Sequence, residues 1–326
     1  MGFTLVELLV VIAIIGVLVG LTVPAVFAVR KTFNNASVKF EVQALDAAVA
    51  AYRTKYGDYP PDGSSWPIME SHFRKIFPNI LQSELNLLNP AYQAANPVPG
   101  HPTLTSGNSV IRSDYETTVV RVMDPAEALV FFLGGFSTDS QKPFTGKGGP
   151  ISAASGYSYN AARENPFYEF NSARLVFSDD SDALPVYSSY ITTTPYVYFD
   201  GRTYQFMRNG SLFCNYHRAT PPDPVMGVAR PLLAANPTAV ALYENQKTFQ
   251  IMSPGIDGLY GWDLQPNSGT PILFSVTGQG YAFSSGSWQV NSNFNRFRLP
   301  VHAPKLPMQD NVTNCIDPPT FADAGK

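Results

Sequence analysis

The chain has 326 residues, a formal net charge of −3 and only 14% charged residues, but 28 prolines, 17 tyrosines and 22 phenylalanines. The slightly acidic balance gives no electrostatic reason to expect nucleic acid as a partner. The proline and aromatic content is typical of a loop-rich, β-containing extracellular domain and argues against a cytosolic helical protein. By length the chain can hold one large domain or two.

The N-terminal segment has the length and composition of a membrane-spanning helix. Leu8 to Val29 are 22 residues without a formal charge, and a helix over Phe3–Val29 would be about 40 Å long, more than the ~30 Å core of a bilayer. Glu7 is the exception, because a carboxylate inside a membrane costs at least ~2.5–3.5 kcal/mol unless it finds a partner. A cleavable secretory signal is cut after its apolar run, whereas the plausible cut here, after Gly2, precedes it. An ordinary membrane anchor, which would have no use for Glu7, is the alternative.

The residues GFTLVELLVVIAIIGVL, at 2–18, resemble the N-terminus of type IV pilins and type II secretion pseudopilins. This resemblance implies that a prepilin peptidase cuts between Gly2 and Phe3 and methylates the new amino group of Phe3. Glu7 then becomes the fifth residue of the mature chain, where these proteins carry a glutamate. Pro24 falls where many of them have a helix-bending proline. The partners that the resemblance implies are further copies of the chain in a helical homo-oligomer and an inner-membrane assembly platform.

The physical chemistry of the segment agrees with that expectation. A free amino group at Phe3 and the Glu7 carboxylate are opposite charges in a poorly solvated place. Each could neutralise the other across two neighbouring subunits, which would set their axial register. Side-chain charges do not support a cytoplasmic N-terminus, because Arg30 and Lys31 follow the span and no basic residue precedes it. The expected topology therefore rests on the resemblance, and a start upstream of Met1 or a trimmed chain would account for the missing basic residues.

Beyond the span, apolar residues spaced by 4, 3, 4, 3 and 4 predict that the helix continues, with one apolar face: Val38, Val42, Leu45, Val49, Tyr52 and Tyr56. The polar residues of this stretch fall off that stripe: Lys39, Glu41, Gln43, Asp46 and Arg53. Gly57 can end the helix in a left-handed cap, and Pro60-Pro61 prevent it from resuming nearby. We expect one helix over Phe3–Tyr56, with a domain packed on its apolar stripe.

The remainder of the chain predicts short helices and strands. The helices are expected at Ile68–Phe77, at Glu84–Leu88, and after Asp124-Pro125 up to Gly134-Gly135. The expected strands are Leu175–Phe177, Tyr196–Phe199, Thr203–Met207, Thr248–Ile251, Ile272–Val276 and Phe294–Leu299. Asp200-Gly201 between two of them reads as a hairpin turn.

Together these elements predict an α+β fold of the type IV pilin kind, a long N-terminal helix packed against an antiparallel β-sheet domain with loop-rich insertions. The expected division is a leader remnant at residues 1–2, the helix at 3–56 with its membrane part at 3–29, and a periplasmic or extracellular β-containing globular domain at 57–326.

Two later segments also resemble major pseudopilins: the junction YGDYPPDG at residues 56–63 and the loop SPGIDGLYGWD at 253–263. In those proteins a serine-x-glycine-x-aspartate-glycine loop with a later aspartate often binds calcium, and Asp257 and Asp263 match these two aspartates. Calcium requires six to eight oxygen ligands, so backbone carbonyls would have to complete the site. A plain Asp-Gly turn is the alternative interpretation.

The cysteines and histidines give weaker signals. Cys214 and Cys315 fit a single disulfide in an oxidising compartment, and two free buried thiols are the alternative. The four histidines are scattered without the spacing of a zinc site, and no P-loop, dinucleotide or nucleophile-elbow motif occurs. We therefore expect no catalytic residues.

The function that the sequence favours is that of a structural subunit of a type IV pilus-like or type II pseudopilus filament. It would be anchored in the inner membrane by a single span before assembly, and would then lie in a periplasmic or cell-surface filament. The alternative is a membrane-anchored extracellular binding protein, for example for glycans, or an enzyme that uses a pilin-like signal.

Overall fold

The computed structural model describes residues 4–96, 123–153, 157–177, 184–204, 207–208, 211–212, 228–235, 237, 242–260, 272–284, 287–290 and 311–315. The described helices are α1 Leu5–Tyr56, α2 Trp66–Ile76, α3 Gln82–Leu88, α4 Pro90–Ala95 and α5 Pro125–Leu133. The described strands are β1 Ile151–Ser152, β2 Ser158–Tyr159, β3 Leu175–Val176, β4 Val186–Tyr187, β5 Val197–Asp200, β6 Met207–Arg208, β7 Ser211–Leu212, β8 Phe249–Ser253, β9 Ile272–Phe274, β10 Gly280–Ser284, β11 Ser287–Val290 and β12 Val312–Thr313.

The long helix α1 ends where the sequence predicts. Gly57 adopts a left-handed conformation, with φ of 73°, and its N–H donates to the carbonyl of Arg53 at 2.7 Å. Glycine adopts this conformation without the steric cost that a Cβ brings, so the cap stops the helix at Tyr56. At the other end Thr4 is the N-cap. The expected first helical residue, Phe3, lies outside the described residues.

The second half of α1 buries its apolar stripe as predicted. Val38 and Val42 are 1% and 2% exposed, and Leu45, Val49 and Tyr52 are fully buried. The stripe packs against β8, β12 and α5. Each buried aliphatic or aromatic side chain of this size contributes about 1.5–3 kcal/mol, so this face of the helix is a substantial part of the main core.

The helix α5 is buried on every side, between α1 and the strands β4 and β5. Its start is confirmed: the Asp124 carboxylate accepts from the backbone N–H groups of Ala126 and Glu127 at 2.7 Å, and the Glu127 carboxylate accepts from the N–H of Asp124 at 2.7 Å. This reciprocal capping satisfies donors at the helix end that burial would otherwise leave unpaired.

The strands form small antiparallel sheets, as the predicted fold class requires. One sheet has the order β12-β8-β5, a second is the meander β11-β10-β9, and three hairpins pair β1 with β2, β3 with β4 and β6 with β7. The fold is therefore α+β, with a long N-terminal helix and small antiparallel sheets in the C-terminal part. The division of the chain into leader, helix and globular domain stays a prediction; below, "globular part" means the described residues after Tyr56.

The prediction of a hairpin at Asp200-Gly201 is wrong. The strand β5 pairs with β8, and β6 pairs with β7. The carboxylate of Asp62, from the junction that follows α1, accepts the N–H of Asp200 at 3.1 Å and also the hydroxyl of Thr203. The turn after β5 is therefore held against that junction, and none of the residues described after it pairs with β5.

The expected strand Thr203–Met207 is not present as predicted, because Thr203 and Tyr204 lie in a turn and, of its described residues, only Met207 belongs to a strand, β6. The other expected helices and strands are present where they can be compared. Helices occur close to both predicted short segments, α2 and α3, and strands occur at four of the predicted runs, β3, β5, β8 and β9. Helix α4 was not predicted; its N-cap is Asn89, whose side chain accepts from the backbone N–H groups of Ala91 and Tyr92. The expected strand Phe294–Leu299 lies outside the described residues.

The carboxylate of Glu41 joins α1 to the globular part. It accepts two hydrogen bonds from the guanidinium of Arg174, at 2.6 and 2.8 Å. The hydroxyls of three tyrosines donate to the same carboxylate, Tyr168 at 3.2 Å, Tyr187 at 3.0 Å and Tyr196 at 2.6 Å. The side chains of Glu41 and Arg174 are 11% and 18% exposed, so the interpretation of Glu41 as a residue off the packed face needs correction.

Burial alone would raise the pKa of the Glu41 carboxyl. The hydrogen bonds from Arg174 and Tyr196 and the charge of Arg174 outweigh it, so its pKa is lower than the ordinary value of about 4.3. Burial and the charge of Glu41 together raise the pKa of Tyr168, Tyr187 and Tyr196. The three phenols therefore stay protonated and act as donors, and the carboxylate stays charged at neutral pH.

A second group of polar contacts fixes the junction after α1. The guanidinium of Arg202 donates to the carboxylates of Asp200 at 2.7 Å and Asp58 at 3.2 Å. Lys75 on α2 donates to the same Asp58 carboxylate at 3.3 Å, and the hydroxyl of Tyr198 donates to the carbonyl of Pro60 at 2.7 Å. The residues just beyond α1 are thus tied both to α2 and to β5.

Removing apolar volume from the stripe should destabilise the protein. Leu45→Ala leaves a cavity at a fully buried position and is expected to lower the free energy of unfolding by about 2–5 kcal/mol. Phe40→Ala, on the same helix, removes a larger side chain that is 71% exposed, and should cost less than about 1 kcal/mol. Thermal unfolding of the detergent-solubilised full chain, followed by near-ultraviolet circular dichroism, measures both. Equal losses for the two variants would contradict the packing described.

Replacing Glu41 should remove a pH-dependent part of the stability. Glu41→Gln takes the charge away from Arg174 and is expected to cost about 3 kcal/mol at neutral pH, the low end for breaking a buried pair. Because the folded-state pKa of Glu41 is the lower one, its contribution is complete above about pH 4.3 and is lost as the pH falls through the folded pKa. The difference in melting temperature between wild type and variant should therefore be constant from pH 8 to about pH 5 and shrink below about pH 4.3.

The matched control is Glu70→Gln, which breaks the Glu70–Arg74 pair on the surface of α2, where the side chains are 33% and 49% exposed. An exposed pair of this kind contributes at most about 0.5 kcal/mol. If Glu41→Gln changed stability as little as this control, Glu41 would not be the residue that holds the globular part on α1.

Candidate functional site

The candidate site is the first half of α1, which carries most of the residues that the sequence singled out. Gly2 and Phe3 lie outside the described residues. Glu7 lies in the first turn of the helix and Pro24 lies inside it. The helix continues through Pro24 without a break in the described backbone.

Glu7 forms a reciprocal cap with Thr4. The Glu7 carboxylate accepts from the backbone N–H and the hydroxyl of Thr4, both at 2.8 Å, and the Thr4 hydroxyl accepts from the N–H of Glu7 at 3.3 Å. This capping box satisfies two donors at the helix start. It also offsets part of the cost of carrying a carboxylate in an apolar segment, although the negative charge remains.

Nothing in the described structure covers this half of the helix. The large apolar side chains of Leu5–Val29 are between 43% and 78% exposed. A contiguous apolar surface of this size marks a site of contact with lipid or with another protein. Leu5–Tyr56 is the one helix among the described residues that is long and apolar enough to cross a membrane.

Pro24 removes one backbone hydrogen bond of the helix, because it has no N–H to donate to the carbonyl four residues earlier, at Gly20. Two residues before it, the hydroxyl of Thr22 donates to the carbonyl of Leu18 at 2.8 Å. A Cβ added at Gly16 or at Gly20 would meet no atom within 4 Å. The segment from Gly16 to Pro24 therefore has two positions without side chains and one missing backbone hydrogen bond.

The helix changes character between Phe33 and Val38. Phe33 is 63% exposed, whereas Val38 is 1% exposed, and the globular part covers one face of the helix from there to its end. Before this boundary α1 is an exposed apolar helix segment, which we call the bare apolar rod. After it, one face of α1 is packed in the protein core. The Glu7 carboxylate near the tip of that rod is hydrogen-bonded by Thr4 but keeps its negative charge, which can attract a cationic group from a second molecule.

The sequence analysis missed the role of Glu41. A usable signal was present, because Glu41 lies three residues after Val38 and four before Leu45, on the flank of the apolar stripe. A carboxylate there is partly buried when a domain packs on the stripe, and it then needs donors. Its donors, at positions 168 to 196, are too distant in sequence to be paired with it by spacing.

His72 is buried on α2 and has a structural place, since the oxygen of the Tyr52 hydroxyl lies 2.7 Å from its Nε2. Burial, together with the charge of Arg202, lowers the pKa of His72 to about 4. The imidazole is therefore neutral at physiological pH and links α2 to α1.

The loop Ser253–Tyr260 contains one of the two predicted calcium ligands. Asp257 lies exposed at its tip, and its carboxylate accepts the N–H of Leu259 at 2.9 Å, the geometry of an Asp-Gly turn. Asp263 lies outside the described residues. Among the described residues no group of three or more histidine, cysteine, aspartate or glutamate side chains could hold a metal. Calcium binding stays a prediction.

The predicted disulfide also stays a prediction, because Cys214 lies outside the described residues. Cys315 follows β12, with its sulfur 3.1 Å from the hydroxyl of Thr313. In the reduced state, burial raises the pKa of the Cys315 thiol to about 12, so a reduced Cys315 is protonated and a poor nucleophile.

Comparisons with known proteins bear on the N-terminal segment. Neither a curated protein nor a solved structure matches the chain. The prokaryotic N-terminal methylation motif matches residues 2–23, the stretch that holds Gly2, Phe3 and Glu7 and most of the bare apolar rod. The chain therefore carries the prepilin-type signature of type IV pilins and pseudopilins.

Proposed function

We propose that this protein is a structural subunit of a type IV pilus-like or type II secretion pseudopilus filament. A prepilin peptidase cuts after Gly2 and methylates the amino group of Phe3. The first half of α1 holds the chain in the inner membrane until an assembly platform moves it into the filament. There the helices pack together, and the globular parts lie on the outside of a periplasmic or cell-surface fibre.

The observation that carries this proposal is the contrast along α1. From Leu5 to Val29 the large apolar side chains are exposed, whereas from Val38 onward one face is buried in the chain's own core. A membrane anchor alone would need the first half to be apolar, but it would not need a carboxylate at Glu7. A subunit that leaves the membrane needs both an apolar surface that packs on copies of itself and a charge that sets the register of that packing.

The cap on Glu7 supports this role. In the single chain the carboxylate is held by Thr4, which lowers the cost of keeping it in the bilayer but leaves the charge without compensation. The methylated amino group of a neighbouring Phe3 would supply the missing positive charge. Two unit charges 4 Å apart attract by about 4 kcal/mol at an effective dielectric constant of 20, enough to favour one register over others.

Fractionation of cells that express the chain tests the proposal. Filaments should shear from the cells, pellet at high speed and appear as fibres by electron microscopy, with this chain as their subunit. A membrane-anchored binding protein or enzyme with a pilin-like signal would remain with the membrane fraction after shearing. Retention in the membrane under conditions where the secretion or pilus machinery is present would contradict the filament role.

Processing should depend on the absence of a side chain at position 2. Gly2→Leu is expected to leave a full-length, membrane-bound precursor and no filaments, because the bulky side chain would not fit a peptidase site that takes glycine. The same change at Gly16, where an added Cβ would meet no atom within 4 Å outside the neighbouring helix backbone, should leave processing intact. Mass spectrometry of the N-terminal peptide measures both. If Phe3 is never N-terminal in wild-type material, the processing step is wrong.

Assembly should depend on the charge of Glu7. Glu7→Ala should insert into the membrane at least as well as wild type, because it removes a carboxylate that costs ~2.5–3.5 kcal/mol there, but it should yield no filaments. Glu7→Gln keeps an oxygen that can accept from the N–H of Thr4 and removes only the charge, so it should fail in the same way. Pelleted subunit per cell, measured by immunoblot, gives the yield. Normal filament yield from Glu7→Gln would exclude charge pairing as the source of register.

A further inference from the structure

The loop between β8 and Tyr260 closes around a buried side chain that comes from a different part of the sequence. Asn311, fully buried, immediately precedes β12, and β12 pairs with β8 so that Val312 lies opposite Ser253. This pairing brings Asn311 to the mouth of the loop. With the amide assigned so that its nitrogen faces the loop, the orientation in which neither polar atom meets only groups of its own kind, that nitrogen donates to the carbonyl of Pro254 at 3.1 Å and to the carbonyl of Leu259 at 2.9 Å.

The two carbonyls come from the two ends of the loop and converge on one nitrogen. An amide nitrogen has two N–H groups, so both of its donors are used. A third carbonyl of the loop, that of Gly258, accepts the hydroxyl of Thr194 at 2.7 Å. Gly255 and Gly258 adopt left-handed conformations, with φ of 70° and 76°, which allow the chain to close so tightly.

Converging backbone carbonyls are also what a calcium ion requires, since it takes six to eight oxygen ligands and in a loop of this kind draws several of them from the backbone. Here three of the available carbonyl oxygens already accept from protein donors. A bound calcium ion would have to break those hydrogen bonds and leave the buried Asn311 and Thr194 groups without partners, which costs free energy.

We propose that the side-chain amide of Asn311 does in this loop what a calcium ion does in a metal-closed loop, so that the loop keeps its shape without metal. The amide is neutral and carries its partial positive charge on the two N–H groups that face the carbonyls. A calcium ion would have to bind from solution, whereas the amide of Asn311 is placed in the loop by the pairing of β12 with β8. Asn311 is thus a positioning residue for the loop, and the inference does not depend on filament assembly.

Hydrogen exchange of segment 253–260, measured by mass spectrometry on the full chain in detergent, tests this proposal. In the wild type, exchange should be the same in excess calcium chloride and in the chelator EGTA. In EGTA, Asn311→Ala should exchange faster by about tenfold or more, because two buried hydrogen bonds are lost. Asn311→Asp keeps the size of the side chain and removes the donors, so it should accelerate exchange at least as much.

The matched control is Asn171→Asp. The side-chain oxygen of Asn171, an exposed residue, accepts from the N–H of Ala173 at 3.0 Å, and aspartate keeps that acceptor, so exchange of segment 253–260 should not change. Slower exchange of the wild-type segment in calcium than in EGTA would overturn the proposal and favour the calcium site. Wild-type exchange in Asn311→Asp would overturn it as well. The wild-type comparison needs no variant, so it stands even if a substitution prevents folding.

Discussion

The Glu41 carboxylate fixes where the globular part lies on its helix. The apolar stripe of α1 supplies most of the stabilisation, but hydrophobic burial is not directional, and a smooth stripe would allow the helix to rotate or slide under its cover. A charged group that accepts from Arg174 and three tyrosine hydroxyls favours the one arrangement in which all of these donors reach it. Charge-assisted, bidentate hydrogen bonds of this kind add geometric specificity to energy.

Buried carboxylates recur where regular strands are short. Glu84 on α3 accepts the backbone N–H groups of Phe144 and Thr145 at 2.8 and 2.9 Å, and so holds a loop that lies 60 residues further along the chain. Asp62 does the same for the turn after β5. Many strands in the described residues are only two residues long, so few ladders satisfy the backbone. Carboxylates take over that task, because an ionised carboxylate accepts several N–H groups at once.

Sequence patterns predicted those features that depend on contacts between residues close together in the chain. The extent of α1, its buried stripe, its glycine cap and the capping box of α5 follow from residues within one or two turns of each other. The pairing of β5 with β8 and the donors to Glu41 join residues 49 to 155 positions apart, and no spacing rule reaches that far. The prediction of a hairpin at Asp200-Gly201 is wrong for this reason: the chain does turn there, but the turn is held by Asp62, 138 positions earlier in the sequence.

The sequence predicted the residues of the candidate site more completely than it predicted the pairing of the strands. A lone carboxylate in an apolar run is conspicuous, because its cost is high wherever the run is buried in lipid. The hydroxyl of Thr4 as the group that caps it, and the boundary between bare and covered helix near Val38, required the structure. Both depend on side-chain geometry that composition does not specify.

A consequence follows from the two carboxylates that share α1. Glu7 and Glu41 are 34 residues apart, and each residue of a helix adds about 1.5 Å and 100°. Inserting a single residue between Phe33 and Val38 would therefore turn the globular part through about 100° relative to the membrane end. Seven residues would lengthen the rod by about 10 Å and restore the angle to within ~20°. The length of α1 thus sets the angle between Glu7 and the globular part. Insertions of seven residues keep that angle nearly unchanged, whereas insertions of one residue do not.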